Sequence, residues 1–228
     1  MFSGAKVPVV ARFSVGGGSP KASDKSKSVR GLALTFQLPG NETWQMANIS
    51  APVFFVARPE QFAPFVQART ADPATGKPDP EKLKAFNAAN PETLRQAAYL
   101  AQAPVPASYG AVNYWGVNAF EFVNAKGESR FARWQFVPEA GTLGLTEDQL
   151  KAMPDDFLAG ELRQRVGAKP VVFDMKLQLA EAGDNLTDPT VAWPEGRQLV
   201  PVGQLVIDKV EAGMGGACDG MTFNPVAL

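Results

Sequence analysis

Apolar and polar residues alternate with a period of two in several stretches of the chain, the mark of strands with one buried face. Val7 to Ser14 is β-branched and aromatic and stops at the glycines Gly16 to Gly18, which predicts a strand ending in a turn. A polar, lysine-bearing loop follows over 19–28. From Val29 to Leu38, the residues Leu32, Leu34, Phe36 and Leu38 alternate with Gly31, Ala33, Thr35 and Gln37, predicting a second strand. Pro39-Gly40-Asn41 reads as a turn, and Thr43–Ser50 and Val53–Ala57 read as two more short strands around Pro52.

The spacing then becomes helical. Phe62, Phe65 and Val66 share one face of a helix over 60–69. Two more helices are predicted over 81–88 and 91–102, the second opened by Asn90-Pro91-Glu92 and stopped by Pro104-Val105-Pro106. Strands return at 112–124 and 129–138, joined by a hairpin turn at Ala125-Lys126-Gly127-Glu128. Ala132, Trp134 and Phe136 share one face of the second strand, and Phe120 and Phe122 share one face of the first. Short helices are predicted from Thr146-Glu147-Asp148-Gln149 and over 154–166. Val171 to Glu181 turns Phe173, Met175, Leu177 and Leu179 inward, Leu199 to Val210 is the last strand, and the glycine-rich tail from Ala212 reads as irregular. Seven or eight strands interrupted by helices do not follow the alternation of a parallel sheet. The prediction is an α+β fold: an antiparallel barrel or strongly curled sheet with inserted helices, in one domain over 1–228.

Composition narrows the chemistry. The 228 residues carry 22 Lys+Arg against 23 Asp+Glu, a net charge of −1. That balance gives no basic surface for nucleic acid. No apolar run reaches the length of a membrane helix, so neither nucleic acid nor membrane is an expected partner. A single cysteine, Cys218, excludes an internal disulfide and a multi-thiolate metal site. Most telling is the absence of histidine, where average usage gives about five. Ser-His-Asp and Cys-His catalysis and the usual zinc sites are thereby excluded. Met1 to Val10 lacks the basic start and long apolar stretch of a signal peptide. Taken as written, the chain is expected to be cytoplasmic.

The order of motifs resembles the catalase superfamily. Val7-Pro8-Val9-Val10-Ala11-Arg12-Phe13-Ser14 is similar to that family's "VPV-x-x-RFS" strand, and Arg30-Gly31-Leu32-Ala33 to its "RGFA" strand. Pro52-Val53-Phe54-Phe55 with Pro59 and Phe62 resembles "PVFF…P…F", and Gly116 to Glu128 resembles its hairpin. Trp193-Pro194, then Pro201-Val202-Gly203-Gln204-Leu205-Val206, resembles "WP…PVGKLV", and Phe223-Asn224-Pro225 resembles "FxP". Asp72 to Pro80 and Tyr114 to Phe120 lean toward the small, catalase-related peroxidase branch. The resemblance implies a catalase-type eight-stranded antiparallel barrel with helical insertions, haem b as cofactor, and peroxide as substrate.

It also implies site residues. Arg12 matches an arginine that pairs with a haem propionate, which a guanidinium can do bidentately. Ser14 matches a serine that orients the distal histidine. Gly31 fits a strand glycine where a flat cofactor comes close. Phe54 and Phe62 match aromatics at the haem edge, Asn118 a position at the cofactor rim, and Phe223 and Pro225 the proximal side. Each also reads as an ordinary ion-pair, turn, core, bulge or tail residue. Asn48 is the counterpart of the distal asparagine, although it stands four residues before Pro52 where the family has three, and Ser50 fills the second slot; a strand-end asparagine bonded to backbone is the alternative. Cys218 is weighed as an iron ligand against an inert tail thiol.

In that family the distal histidine lies upstream of the first strand motif, and the tyrosine that ligates iron lies downstream of the last, in an Arg-x-x-x-Tyr helix. Neither occurs here, and Tyr99, Tyr109 and Tyr114 match no ligand motif. The expectation is a catalase-related peroxidase truncated at both ends, or with a start set at an internal Met, and inactive as written. An export signal upstream of Met1 would make it periplasmic. The alternatives are a non-catalytic barrel remnant binding haem or a small apolar ligand, and a fragment that does not fold alone.

Overall fold

The computed structural model describes residues 4–17, 21–211, 216, 218 and 220–222. Seven strands form one antiparallel sheet in chain order, from β1 (Val9–Val15) through β2 (Arg30–Gln37), β3 (Thr43–Ile49), β4 (Tyr114–Val123), β5 (Ser129–Pro138) and β6 (Val171–Leu179) to β7 (Leu199–Ile207). The helices α1 (Phe62–Arg69), α2 (Pro80–Ala89) and α3 (Leu94–Gln102) lie between β3 and β4. Helices α4 (Glu147–Ala152) and α5 (Phe157–Ala168) lie between β5 and β6. The sheet curls around one apolar cluster built from Leu32, Leu34 and Phe36 of β2, Tyr114 of β4, Ala132, Trp134 and Phe136 of β5, Phe173 and Met175 of β6, and Leu205 and Ile207 of β7. Among the described residues no ladder joins β1 to β7, so the curl is a half-barrel with two open edges.

Local chemistry fixes the connections. The β2–β3 turn puts Gly40 and Asn41 at φ 81° and 60°, a region that glycine and asparagine enter at least cost. In the β4–β5 hairpin Asn124 Oδ1 accepts the N–H groups of Lys126 and Glu128, while Gly127 takes φ 81°. Thr146 caps α4 with a capping box to Gln149. Asp79 caps α2 by accepting from Glu81 and Lys82.

Two sequence expectations are corrected. Residues 53–57 form no strand, because their backbone groups are engaged by the side chains of Gln61 and Gln96 and by a distant carbonyl rather than by a neighbouring strand. The β4 strand starts at Tyr114 rather than 112, because Tyr109–Ala111 wind into a 3-10 turn capped by Ser108.

The loop before β2 is locked to α5 by a cap from outside the helix. Asp24 Oδ2 accepts the Leu158 N–H at 2.8 Å, and the Asp24 N–H donates to Asp155 O at 2.7 Å. Burial raises the Asp24 carboxyl above its ordinary range, outweighing the lowering by the Leu158 N–H and by Arg30; Asp156 and Asp155 push the same way as burial. A carboxyl raised on folding favours the fold most at low pH and loses that contribution as pH rises through the raised value. Asp24→Asn keeps the acceptor without the buried charge. It is expected to melt at or above the wild-type temperature at pH 7, with the gap closing toward pH 4. Asp24→Ala leaves the Leu158 N–H without its acceptor and should cost about 1–2 kcal/mol. Thermal melts of both variants across pH check this.

Candidate functional site

The face of β1–β3 turned away from the core is made mostly of small residues. Strand register sets Ser14 beside Gly31 and Gly31 beside Ile49. The next outward row is Arg12, Ala33 and Ala47, and the last is Val10, Thr35 and Gln45. These nine positions make a shallow platform of about 10 by 14 Å, from ordinary strand spacing and rise. Its last row is closed: Gln45 Nε2 donates to Thr35 Oγ1 at 3.1 Å and to Thr222 O at 3.2 Å. The first two rows carry no bulky side chain except Ile49 and the exposed Arg12 at the edge.

Gly31 is required by proximity rather than by its dihedral. A Cβ there would stand 2.5 Å from Ser14 Oγ. The hydroxyl therefore lies over the glycine, and the two residues together keep the platform flat.

The chain leaves the platform at Ile49 and continues through Ser50, Ala51 and Pro52 to Phe54 and Phe55. Both phenylalanines are half-buried, and their rings are 4.3 Å apart. Phe55 also packs on Phe62 at 5.4 Å and Phe65 at 4.6 Å of α1, and Phe62 is 50% exposed. Arg69 closes this aromatic cluster, its guanidinium 3.6 Å from the Phe65 ring centre.

Of the residues singled out in the sequence, Arg12, Ser14 and Gly31 fall on the platform, while Phe54 and Phe62 belong to the aromatic cluster that follows it. Asn48 falls elsewhere. It pairs across from Leu32 on the core face, its Nδ2 donates to Leu32 O at 3.0 Å, and its Oδ1 is buried without a partner. The platform position next to Gly31 belongs instead to Ile49, because strand side chains alternate. Asn118 is exposed in the β4 irregularity between Gly116 and Phe120, beyond the single Ile49–Trp115 pairing that joins β3 to β4. Phe223 and Pro225 lie outside the described residues. Cys218 is half-buried and unbridged.

Tyr109 and Tyr114 do not face the platform. Tyr109 stacks on Phe13 at 5.2 Å, on the core side of β1, and Tyr114 is fully buried with its hydroxyl donating to Tyr109 O at 3.0 Å. Burial pushes Tyr109 up to about 12 and Tyr114 well above the usual phenol range. Tyr99, raised in the same way, sits edge-on to Trp115. Among the described residues no group of three or more Cys, Asp or Glu is placed to hold a metal ion, and no helix is long and apolar enough to cross a membrane.

Sequence reasoning did not single out Ile49, Gln61 or Gln96. Ile49 is visible only through strand register. The two glutamines look like surface positions of helices, yet both are buried.

Comparison with known proteins agrees with this architecture. A catalase-related peroxidase of Synechococcus elongatus is 46% identical over 228 residues, all of this chain and 67% of that protein. A catalase-related peroxidase of Mycolicibacterium paratuberculosis is 33% identical over 99% of this chain and 71% of its own length. The solved structure of a bacterial catalase superposes with a TM-score of 0.82 at 20% identity, over 96% of this chain and 45% of that one. Catalase A from Saccharomyces cerevisiae superposes with a TM-score of 0.81 at 21% identity, over 92% and 46%. The chain thus spans about two thirds of the catalase-related peroxidases and less than half of those catalases. The family model described as Catalase matches residues 1–228, and the chain belongs to that family.

Proposed function

We propose that the outer face of β1–β3 is the seat of haem b, and that this chain is the barrel portion of a haem-dependent catalase-related peroxidase that decomposes hydrogen peroxide or reduces organic peroxides. The observation that carries this is the flat row Ser14–Gly31 over Ala33 and Ala47, with Arg12 at its edge. A planar macrocycle needs a surface without projecting side chains, and its propionates need a cation at the rim.

The fit is partial. The plane suits the platform, but none of the nine platform residues is an axial donor: the chain has no histidine, Tyr109 and Tyr114 lie on the core side, and Tyr99 packs edge-on against Trp115. When bound with its axial ligand, haem iron supplies the redox chemistry of peroxide cleavage. This chain's own residues bind and orient. Arg12 meets a carboxylate at the edge, Ser14 offers a hydroxyl above Gly31, Ile49 excludes water beside them, and Phe54 flanks the rim. The missing histidine equally favours a barrel that binds haem or a small apolar ligand without catalysis.

Titration of the purified 228-residue chain with haemin tests both readings. A saturable shift of the Soret band at micromolar haemin is expected, with peroxidase turnover no faster than free haemin. No shift removes haem from the platform. Turnover clearly above the haemin control requires an axial donor within this chain and removes the non-catalytic reading.

A further inference from the structure

The segment carrying Phe54 and Phe55 reads as a strand by composition but pairs with none, and what holds it instead is unusual. Gln61 and Gln96 are each only 7% exposed. Gln96, on α3, donates from Nε2 to Val53 O at 2.8 Å. Gln61, at the start of α1, accepts the N–H groups of Ala57 at 2.9 Å and Arg58 at 3.2 Å on its Oε1. Its Nε2 donates to Asn90 Oδ1 at 2.8 Å and Glu92 Oε1 at 2.6 Å. That uses both donors and both lone pairs of the amide. Between the two glutamines, the Phe54 N–H donates to Pro189 O at 2.8 Å. Ala51, Val53 and Val56 are buried, whereas Phe54 and Phe55 are left half-exposed.

We propose that Gln61 and Gln96 are positioning residues for the ligand of the β1–β3 platform: they fix the backbone over 53–58 and so aim Phe54 and Phe55 along the platform's rim. This rests on the platform being a ligand seat. A buried primary amide that holds backbone groups by hydrogen bonds is costly to disturb. It acts here where a sheet ladder would otherwise act, at the one stretch that links β3 to α1.

The test pairs local and functional readouts on the whole chain. Gln96→Met keeps the volume and loses the donor; Gln96→Asn keeps the donor and shortens the reach, and serves if the Met variant does not fold. Either is expected to raise amide hydrogen exchange at residues 53–58 while protection in β2 and β5 stays at the wild-type level. Haemin affinity should fall about fivefold to tenfold with an altered Soret position, the equivalent of one hydrogen bond. Phe54→Ala should give a similar loss, and the double variant Gln96→Met with Phe54→Ala should lose no more than Phe54→Ala alone. Unchanged exchange at 53–58, or wild-type haemin affinity despite raised exchange, overturns the proposal. Additive losses in the double variant also overturn it, because the glutamine would then act independently of the ring. If wild type itself takes up no haemin, the haem reading fails, and exchange at 53–58 alone decides the clamp.

Discussion

Gly31→Leu is expected to leave the chain folded and to weaken haemin binding by at least about 100-fold. A leucine here stands upright between Ser14 and Ile49, in the middle of the row proposed to seat the flat ring. Its Cβ alone would approach Ser14 Oγ to 2.5 Å, so some rearrangement of the serine is forced, at a cost of about 1–3 kcal/mol typical of overpacking. The control is a double-mutant cycle on stability. In Gly31→Ala the clash is with the terminal hydroxyl of a two-atom side chain, whereas Ser14 Cβ is 3.8 Å away. Adding Ser14→Ala should therefore restore about 0.5–1 kcal/mol, a coupling that independent sites do not show. Haemin titration of the Leu variant beside urea unfolding of the Ala pair checks both halves. Wild-type haemin affinity in Gly31→Leu would place the ligand on another surface, and equal stability with and without Ser14 would remove the close approach as the reason for the glycine.

That platform was only half legible in the sequence. The period-two alternation of β2 showed an apolar row, Leu32, Leu34 and Phe36, and by parity an opposite row, Gly31, Ala33 and Thr35. It could not show that Ala33 and Thr35 are buried as well, because burial depends on tertiary neighbours such as Gln45, which bonds to Thr35 across the strands. Arg12, Ser14 and Gly31 were reached through a resemblance of motifs, and strand pairing puts them on one face. Asn48 falls on the other face. One extra residue before Pro52 reverses strand parity, so the asparagine faces the core beside Leu32 and Ile49 takes the outward place.

The stretch 53–57 went astray for a different reason. Its β-branched and aromatic residues satisfy the local preference for extended backbone, and extended backbone is what forms. A strand also needs a partner, and here the partners are Gln61, Gln96 and Pro189 O, distant in sequence or hidden as polar helix positions. Periodicity reports which face a side chain takes. It does not report where backbone hydrogen bonds go, which is a matter of tertiary accounting. The strands and helices that did follow the reading, such as β5 with Ala132, Trp134 and Phe136 inward or α4 with its Thr146 cap, are those whose bonds close locally or to the next strand.

Arg133→Met is expected to cost about 2–3 kcal/mol, from the loss of charge-assisted hydrogen bonds to three part-buried carbonyls, and to release the long connection between β6 and β7. Arg133 points outward from β5 opposite Trp134, yet it is only 4% exposed, because residues 181–198 fold over it. Its guanidinium donates to Val191 O at 2.7 Å and to Asn185 O and Asp188 O at 3.3 Å, and it lies 4.4 Å from the centre of the Trp193 ring. Burial lowers its pKa to about 10, with Asp184 and Asp188 opposing, so it stays charged at neutral pH. Methionine keeps the stem and its packing but turns three carbonyls toward a group that donates nothing. Arg133→Lys should recover little, since one ammonium neither spans those carbonyls nor stacks on the indole. The consequence reaches the segment 53–58, because Pro189 O in this same connection accepts the Phe54 N–H. Urea unfolding should show the loss of stability, and hydrogen exchange should show lost protection at 53–58 and 184–193 with the β5–β6 ladder intact. If Arg133→Met unfolds within about 0.5 kcal/mol of wild type, as a replaceable surface position would, the connection is held instead by the Arg197–Asp184 pair at 2.9 Å and the Asp188–Thr190 bonds, and Arg133 is only their passenger.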